Sequence, residues 1–459
     1  MTEKSRMNKQ HNLNVDTVIV GLGVTGLSCA RFLGSRGLSF AVTDTRETPP
    51  GLVELMEEFP NTVISTSELD LDLIMSAKQC LVSPGISIKT PALIDAEQAG
   101  VEIIGDIELF ARHADAPVVS ITGANGKSTV TTLVYEMAKA AGLDVRAGGN
   151  LGLPALDLID DIEPDLYILE LSSFQLETTH NLNSLAATVL NISEDHMDRY
   201  AGIADYAGAK ERVYQGSGAM IINSDDPAVG RMTNVNREII RFTLNEPMES
   251  EFGILHKDNE AWLAFGDQYL ISISEMKIQG LHNISNALAA LALGRAAGIA
   301  DEPMLDVLRT WPGLSHRCEW IAEHNGVDWY NDSKGTNEGA TVAAINGFAD
   351  RPIILIAGGD GKGAKFNDLA TAAKGAVKQA ILFGKDAPLL ENKLQAVTEI
   401  IRVKDLAEAV KVAGKIAVKG DRVLLSPACA SLDMFKNYIV RAEEFIKAVN
   451  EFVNQGVEI

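Results

Sequence analysis

Cysteine is scarce in this chain. There are four in 459 residues, Cys29, Cys80, Cys318 and Cys429, and none stands in a CxxC spacing. That leaves no basis for a zinc site or a disulfide framework and points to a reducing compartment, so a cytoplasmic protein is expected. Positive charge is also in short supply: 40 Lys and Arg against 62 Asp and Glu give a net charge of −22. No basic stripe is visible, so nucleic acid is not an expected partner. The acidity reads as a soluble surface, on which local lysines and helix N-termini can still hold anions. Long apolar runs are missing too. None approaches the ~20 residues that a membrane-crossing helix needs, so no span is expected. The first fifteen residues are polar and lack the apolar centre of a signal peptide.

What the chain does have is ordinary globular material, 46% hydrophobic and 22% charged. Its length suggests roughly three domains at about 150 residues each. Short apolar runs rich in β-branched residues alternate with longer helical patterns: Thr17-Val18-Ile19-Val20, Phe40-Ala41-Val42-Thr43, Val118-Val119-Ser120-Ile121, Tyr167-Ile168-Leu169, Ile353-Ile354-Leu355-Ile356 and Arg422-Val423-Leu424-Leu425. This is the alternation of an α/β fold with mainly parallel sheets and flanking helices. Three blocks are expected, 1–106, 107–313 and 314–459, with Trp311-Pro312-Gly313 reading as a linker. Residues 252–273 break the pattern with short alternating pieces and read as a small antiparallel insertion.

Five motifs could carry chemistry. Gly21-Leu22-Gly23-Val24-Thr25-Gly26 follows a strand and opens a helix, and Asp44 closes the next strand. Glycines there let the backbone approach a diphosphate and the acid can meet a ribose; alone, this favours NAD. Thr122-Gly123-Ala124-Asn125-Gly126-Lys127-Ser128-Thr129 also lies between strand and helix. Its N–H groups can wrap phosphates, Lys127 can neutralise them and Ser128 can ligate Mg²⁺, although Ile121 occupies the first glycine position of a general P-loop. Glu170 closes a strand, where it is placed for Mg²⁺, or is a surface acid or a helix cap. Asn191 to Tyr200 carries Glu194, Asp195 and His196, which suggest a second metal or a solvated loop. Lys210 follows on a helix beginning near Ile203 and, taken alone, reads as solvated. In Gly280 to Ala287, Asn283 and Asn286 read as caps or base contacts before a core helix from Ala287. The fifth motif joins Ser315-His316-Arg317-Cys318-Glu319 to Tyr330-Asn331-Asp332-Ser333-Lys334-Gly335-Thr336-Asn337. There Arg317 can stabilise phosphate charge, Asp332 hold a ribose and Lys334 an anion, or each can be a surface ion-pair partner. Clusters after two strong strands, 358–362 and 426–431, lie at the binding edge of an open sheet.

Taken together, these motifs resemble the Mur ligases over nearly the whole chain, and within them the D-glutamate-adding members, through Glu170 to Leu176, Glu194 to Tyr200 and Leu425 to Asp433. The resemblance accounts for the shorter phosphate loop. It implies an ATP-dependent amide-forming ligase in three domains: a Rossmann-like UDP-binding domain, a P-loop ATPase and a C-terminal Rossmann-like domain. The implied ligands are UDP-N-acetylmuramoyl-L-alanine, D-glutamate, ATP and two Mg²⁺, and the reaction passes through an acyl phosphate. Thr25, Asp44, Thr45, Ser83, Gly85 and Asn150 are then expected to meet the UDP substrate. Gly123, Asn125, Gly126, Lys127, Ser128, Thr129, Asn286, Arg317 and Asp332 are expected to meet ATP. Lys334, Thr336, Lys362, Ser431, Leu432 and Tyr438 are expected to meet D-glutamate. Tyr438 stands where relatives often have Phe, so its hydroxyl has no implied role. Ser128, Glu170, His196 and Lys210, the last as a carbamate, are the implied metal donors. Lys127, His196, Lys210 and Arg317 are the implied catalytic set. A monomer is expected.

Overall fold

The computed structural model describes residues 15–278 and 280–455. The polar segment Met1–Asn14, on which the expectation of no signal peptide rests, lies outside the described residues. The strands form mainly parallel sheets with helices between them, so the expected α/β class is observed. By its contacts the chain divides into two compact units. One contains the described residues up to Ser120, Leu143–Leu185 and Ala209–Gly218; the other contains Ile121–Gly142, Ala186–Gly208 and the chain from Ala219 onward.

In the first unit, β1 (Thr17–Val20), β2 (Phe40–Thr43), β3 (Val63–Ser65), β4 (Gln79–Val82) and β5 (Glu102–Ile104) form a parallel sheet in the order β3-β2-β1-β4-β5. Val18, Val20, Ala41, Cys80 and Val82 point to one buried face, against Leu73, Ile74, Leu93 and Ala96. The strand order reverses between β1 and β4, so a crevice opens beyond their carboxyl ends, where such sheets bind ligands. Gly26 belongs to the helix Val24–Ser35, and a Cβ there would sit 2.0 Å from the Gly21 carbonyl oxygen. The close helix–turn approach therefore needs glycine.

The same unit carries a buried clamp. Glu108, in the helix Asp106–Ala111, accepts from the His180 N–H (2.7 Å), the Asn181 N–H (2.9 Å), Asn181 Nδ2 (2.6 Å) and Arg112 Nε (2.9 Å). Burial opposes its charge, but these donors outweigh burial and hold the carboxyl at about 2, below the ordinary 4.5. A depressed carboxyl stabilises the fold above its unfolded value, and that contribution is lost as pH falls through the folded value. Glu108→Gln should therefore destabilise the protein at pH 7 by about 1–3 kcal/mol. The gap to the parent should close as thermal unfolding is repeated at pH values falling from 4.5 towards 2.

Also in this unit, β7 (Val145–Gly149) and β8 (Leu166–Glu170) pair in parallel. β6 (Val118–Thr122) is shared between the units at Ser120. In the second unit, β9 (Ala186–Val189), β10 (Ala219–Asn223), β11 (Ile239–Phe242) and β12 (Glu251–Lys257) are parallel neighbours. β13 (Glu260–Phe265) and β14 (Gln268–Ser272) then add two antiparallel strands. Asp258 and Asn259, at φ 53° and 64°, make the tight turn between β12 and β13. The antiparallel piece expected at 252–273 is there, but it extends the edge of a parallel run instead of standing apart. The helix Lys127–Ala140 packs on the helices Leu281–Ala296 and Asp301–Thr310.

The last sheet runs β15-β16-β20-β17-β18-β19, from β15 (Glu319–His324), β16 (Val327–Asn331), β17 (Ile353–Gly358), β18 (Val377–Phe383), β19 (Glu399–Arg402) and β20 (Arg422–Leu425). Only β15–β16 is antiparallel. Alternate residues of β17 feed two cores, Ile353, Leu355 and Ala357 on one face and Ile354 and Ile356 on the other. Burial on both faces explains why this strand reads as an unbroken apolar run. Among the described residues no helix is long and apolar enough to cross a membrane.

Candidate functional site

Two cavities gather most of the expected residues. The first, in the first unit, has a volume of about 580 Å³ and is lined by all six residues expected at the UDP substrate, Thr25, Asp44, Thr45, Ser83, Gly85 and Asn150. Asp44 is 1% exposed. Its Oδ2 accepts from the Leu22 N–H (2.7 Å) and Arg46 Nη2 (2.6 Å), and its Oδ1 from the Arg46 N–H (2.8 Å) and Nε (2.9 Å). Burial works against the charge, but the Arg46 and Leu22 hydrogen bonds win and hold the carboxyl below its usual range. Both oxygens are thus engaged by the protein, and Asp44 presents Arg46 to the cavity. Arg46 and Gln175 line this cavity and were not expected from sequence. The place of Arg46, two residues after the strand-end acid, was the available signal.

The second cavity, in the second unit, has a volume of about 140 Å³ and is lined by Asn125, Gly126, Thr129, Asn286, Arg317 and Asp332 of the expected ATP set, together with Lys334. Gly126, at φ +84°, enters the helix Lys127–Ala140, and a Cβ there would meet Asn286 Oδ1 at 2.4 Å. Asn191 braces the loop: its Oδ1 accepts from the Asn125 N–H (2.8 Å), its Nδ2 donates to the Asn125 carbonyl (3.0 Å), and its own carbonyl accepts from the Ala124 N–H (2.9 Å). Lys127 Nζ turns back to the Gly123 and Ala124 carbonyls, at 2.9 Å each. Arg317 Nη2 donates to Ser128 Oγ at 2.7 Å. Asp332 Oδ2 accepts from Ser426 Oγ at 2.7 Å and its Oδ1 from the Cys318 N–H at 3.3 Å. Burial dominates and pushes Asp332 up to about 6.

The Asn motif needs a correction. The core helix begins at Leu281, not Ala287, with Gly280 as its cap. Asn283 and Asn286 therefore lie inside the helix and do not cap it, and Asn286 is buried. His282, on the same turn, lines the cavity, and burial lowers it to about 4.

Of the implied metal donors, Glu170 accepts from Asn150 Nδ2 through Oε1 at 2.6 Å, while its Oε2 is buried with no hydrogen-bond partner. An orphaned carboxylate oxygen of this kind fits a hard, oxygen-seeking cation. Lys210, in the helix Ile203–Glu211, is 1% exposed. The solvated reading is overturned. Asp195 accepts from Lys362 Nζ (2.7 Å) and Asn337 Nδ2 (3.2 Å), and its neighbour His196 is lowered, first by burial. Among the described residues no three His, Cys, Asp or Glu side chains group to hold a metal.

Of the residues expected at D-glutamate, Lys334 Nζ lies 4.0 Å from the centre of the Tyr438 ring, Thr336 donates its N–H to the Lys334 carbonyl, Ser431 is buried and Leu432 is 72% exposed. Lys362 instead faces Asp195. Sequence reading missed Arg441, which is wholly buried. It donates to Ser333 Oγ (3.0 Å), the Ser333 carbonyl (2.8 Å) and the Cys429 carbonyl (3.1 Å), so it joins the turn that carries Lys334 to the one that carries Ser431.

Residues 15–105, 121–294 and 316–429 match, in order, the families described as Mur ligase MurD-like, N-terminal domain; Mur ligase middle domain; and Mur ligase, glutamate ligase domain. The chain belongs to the Mur ligase family. This Mur ligase is 51% identical to a UDP-N-acetylmuramoylalanine--D-glutamate ligase of Nitrosococcus oceani, over 97% of the chain and 98% of that protein. It is 52% identical to one of Pseudomonas putida, over 94% of the chain and 96% of that protein. Its fold is similar to that of Thermotoga maritima MurF ligase in complex with ADP (TM-score 0.60, 16% identity, 97% of each chain). It is also similar to Thermotoga maritima UDP-N-acetylmuramate-alanine ligase MurC (TM-score 0.58, 17% identity, 95% of this chain and 99% of that one).

Proposed function

We propose that this Mur ligase joins D-glutamate to UDP-N-acetylmuramoyl-L-alanine, using ATP and releasing ADP and phosphate, in the cytoplasmic synthesis of peptidoglycan precursors. The observation that carries this reading is the 51% identity over 97% of the chain to a protein named for that reaction. The 580 Å³ cavity takes the UDP substrate and the 140 Å³ cavity takes ATP. Three domains, 1–106, 107–313 and 314–459, divide the work, and the enzyme acts as a monomer.

A carboxylate is a poor electrophile. Attack of a carboxylate oxygen on the γ-phosphorus of ATP forms a new O–P bond and breaks the bond to ADP, giving an acyl phosphate, from which the D-glutamate amine displaces phosphate. The first step brings two anions together, so cations must offset the repulsion. Lys127, released from the Gly123 and Ala124 carbonyls, and Arg317, released from Ser128, supply that charge. The N–H groups of Gly123 to Thr129 wrap the phosphates, Asn286 meets the base and Asp332 the ribose. Lys362 exchanges Asp195 for a D-glutamate carboxylate, with Lys334, Thr336, Ser431, Leu432 and Tyr438 as the remaining contacts. Ser128, Glu170, His196 and carbamylated Lys210 are the proposed magnesium donors. When bound, two Mg²⁺ supply further neutralisation of phosphate charge.

Phosphate release measured with UDP-N-acetylmuramoyl-L-alanine and a panel of D- and L-amino acids tests this reading; turnover with an amino acid other than D-glutamate as the best substrate overturns it. Asp44→Ala should raise KM for the UDP substrate by about tenfold or more, the scale of one lost charge-assisted hydrogen bond, because Arg46 loses its anchor. KM for ATP should move much less. A selective loss of ATP affinity would show that the two nucleotide assignments are reversed.

A further inference from the structure

Asp106 is a buried carboxyl that the proposed reaction does not use. It opens the helix Asp106–Ala111 and is 2% exposed. Its Oδ2 accepts from Gln175 Nε2 at 3.1 Å; its Oδ1 is buried with no well-formed hydrogen bond, although the N–H groups of Ile107 and of Asp106 itself favour the charge on this carboxyl. Such an atom is rare enough in a folded protein to need a reason.

The role of this carboxyl is legible at its other oxygen, which meets Gln175. Gln175 forms part of the wall of the 580 Å³ cavity. Its Oε1 accepts from the Ser172 N–H at 3.1 Å and from the Ser172 hydroxyl at 3.2 Å. An amide has a donor end and an acceptor end. With a carboxyl on one side and an N–H on the other, only one orientation satisfies both. The reverse would set Oε1 against the Asp106 carboxyl and Nε2 against the Ser172 N–H. Ser172 caps the helix Ser173–Glu177 and stands two residues after Glu170. The backbone brings the pair together at Gly105, whose N–H donates to the Thr178 carbonyl at 3.3 Å, and where a Cβ would lie 2.2 Å from Thr178 Oγ1.

We propose that Asp106 is a positioning residue of the UDP-substrate cavity, fixing the amide of Gln175 and, through Ser172, the turn that follows Glu170. The inference rests on the assignment of that cavity to the UDP substrate. Burial pushes Asp106 up to about 6, so Oδ1 can take a proton while Oδ2 goes on accepting from Gln175. What the position requires is an acceptor, not a charge.

The test titrates UDP-N-acetylmuramoyl-L-alanine calorimetrically into the parent and into Asp106→Asn, Asp106→Leu, Gln175→Glu and the double variant D106N/Q175E. Thermal unfolding and KM for ATP are measured beside it. Asp106→Leu and Gln175→Glu should each weaken binding by about tenfold or more, with KM for ATP within about twofold of the parent. Asp106→Asn should bind as the parent does. The double variant should recover what Gln175→Glu loses, because the new amide donates to the new carboxylate, whose other oxygen still accepts from Ser172. If Asp106→Leu does not fold, Gln175→Glu and the double variant carry the test. A parent that binds no UDP substrate refutes the functional reading. A parent that binds, with a double variant no better than Gln175→Glu, or with losses confined to the melting temperature, overturns the positioning role.

Discussion

Lys210→Ala should reduce turnover on the order of 10³-fold or more, the scale of removing a group that stabilises transferring charge, and formate or acetate should restore part of it. Lys210 is 1% exposed. The neutral form of a lysine amine is the one that reacts with carbon dioxide. The product, a carbamate, is an anion with two oxygens and can serve Mg²⁺ as a carboxylate does. A small carboxylate entering the space left by the lysine side chain supplies the same charge. Two measurements check this: turnover against added formate, and the carbamate signal from ¹³C-bicarbonate, present in the parent and absent in the variant. A variant as active as the parent eliminates the carbamate role.

Lys127→Ala should lose about 10²–10³ in rate, with no rescue by carboxylates because the missing group is a cation. The fold should hold. The loop stays braced by the three hydrogen bonds between Asn191 and residues 124–125, so the melting temperature should stay close to that of the parent. Near-parent activity would show that the phosphate charge is met by other groups.

Much of the frame could be read along the chain. The six runs are strands: five are buried throughout and the sixth, Arg422–Leu425, is buried at all but Arg422, so they carry a mainly apolar signature. The two glycine-rich turns lie where local grammar puts them, after a strand and before a helix. What stayed hidden depends on partners far away in sequence. Lys210 sits on a helix whose spacing gives no sign that its side chain is buried. Lys362 was an expected anion binder, and nothing near it in sequence names Asp195, 167 positions away. Gln175 and Asp106 are 69 residues apart, and each looks like a helix-end polar residue. The Asn283 and Asn286 error has a different source. Gly280, at φ +93°, caps a helix that starts at Leu281, six residues before the alanine-rich stretch from Ala287 that marked its core.

The hydrogen bond from Asn150 to Glu170 has a thermodynamic consequence. Asn150 lines the 580 Å³ cavity, and Glu170 keeps its other oxygen without a partner. One amide therefore touches both a ligand's surroundings and a carboxylate suited to a cation. Whatever factor a ligand in the cavity applies to cation affinity through this amide, the cation must apply to the ligand's affinity in return, because both close the same free-energy cycle. Asn150→Ala would then reduce the coupling from both directions by the same factor, even where it changes the two separate affinities unequally.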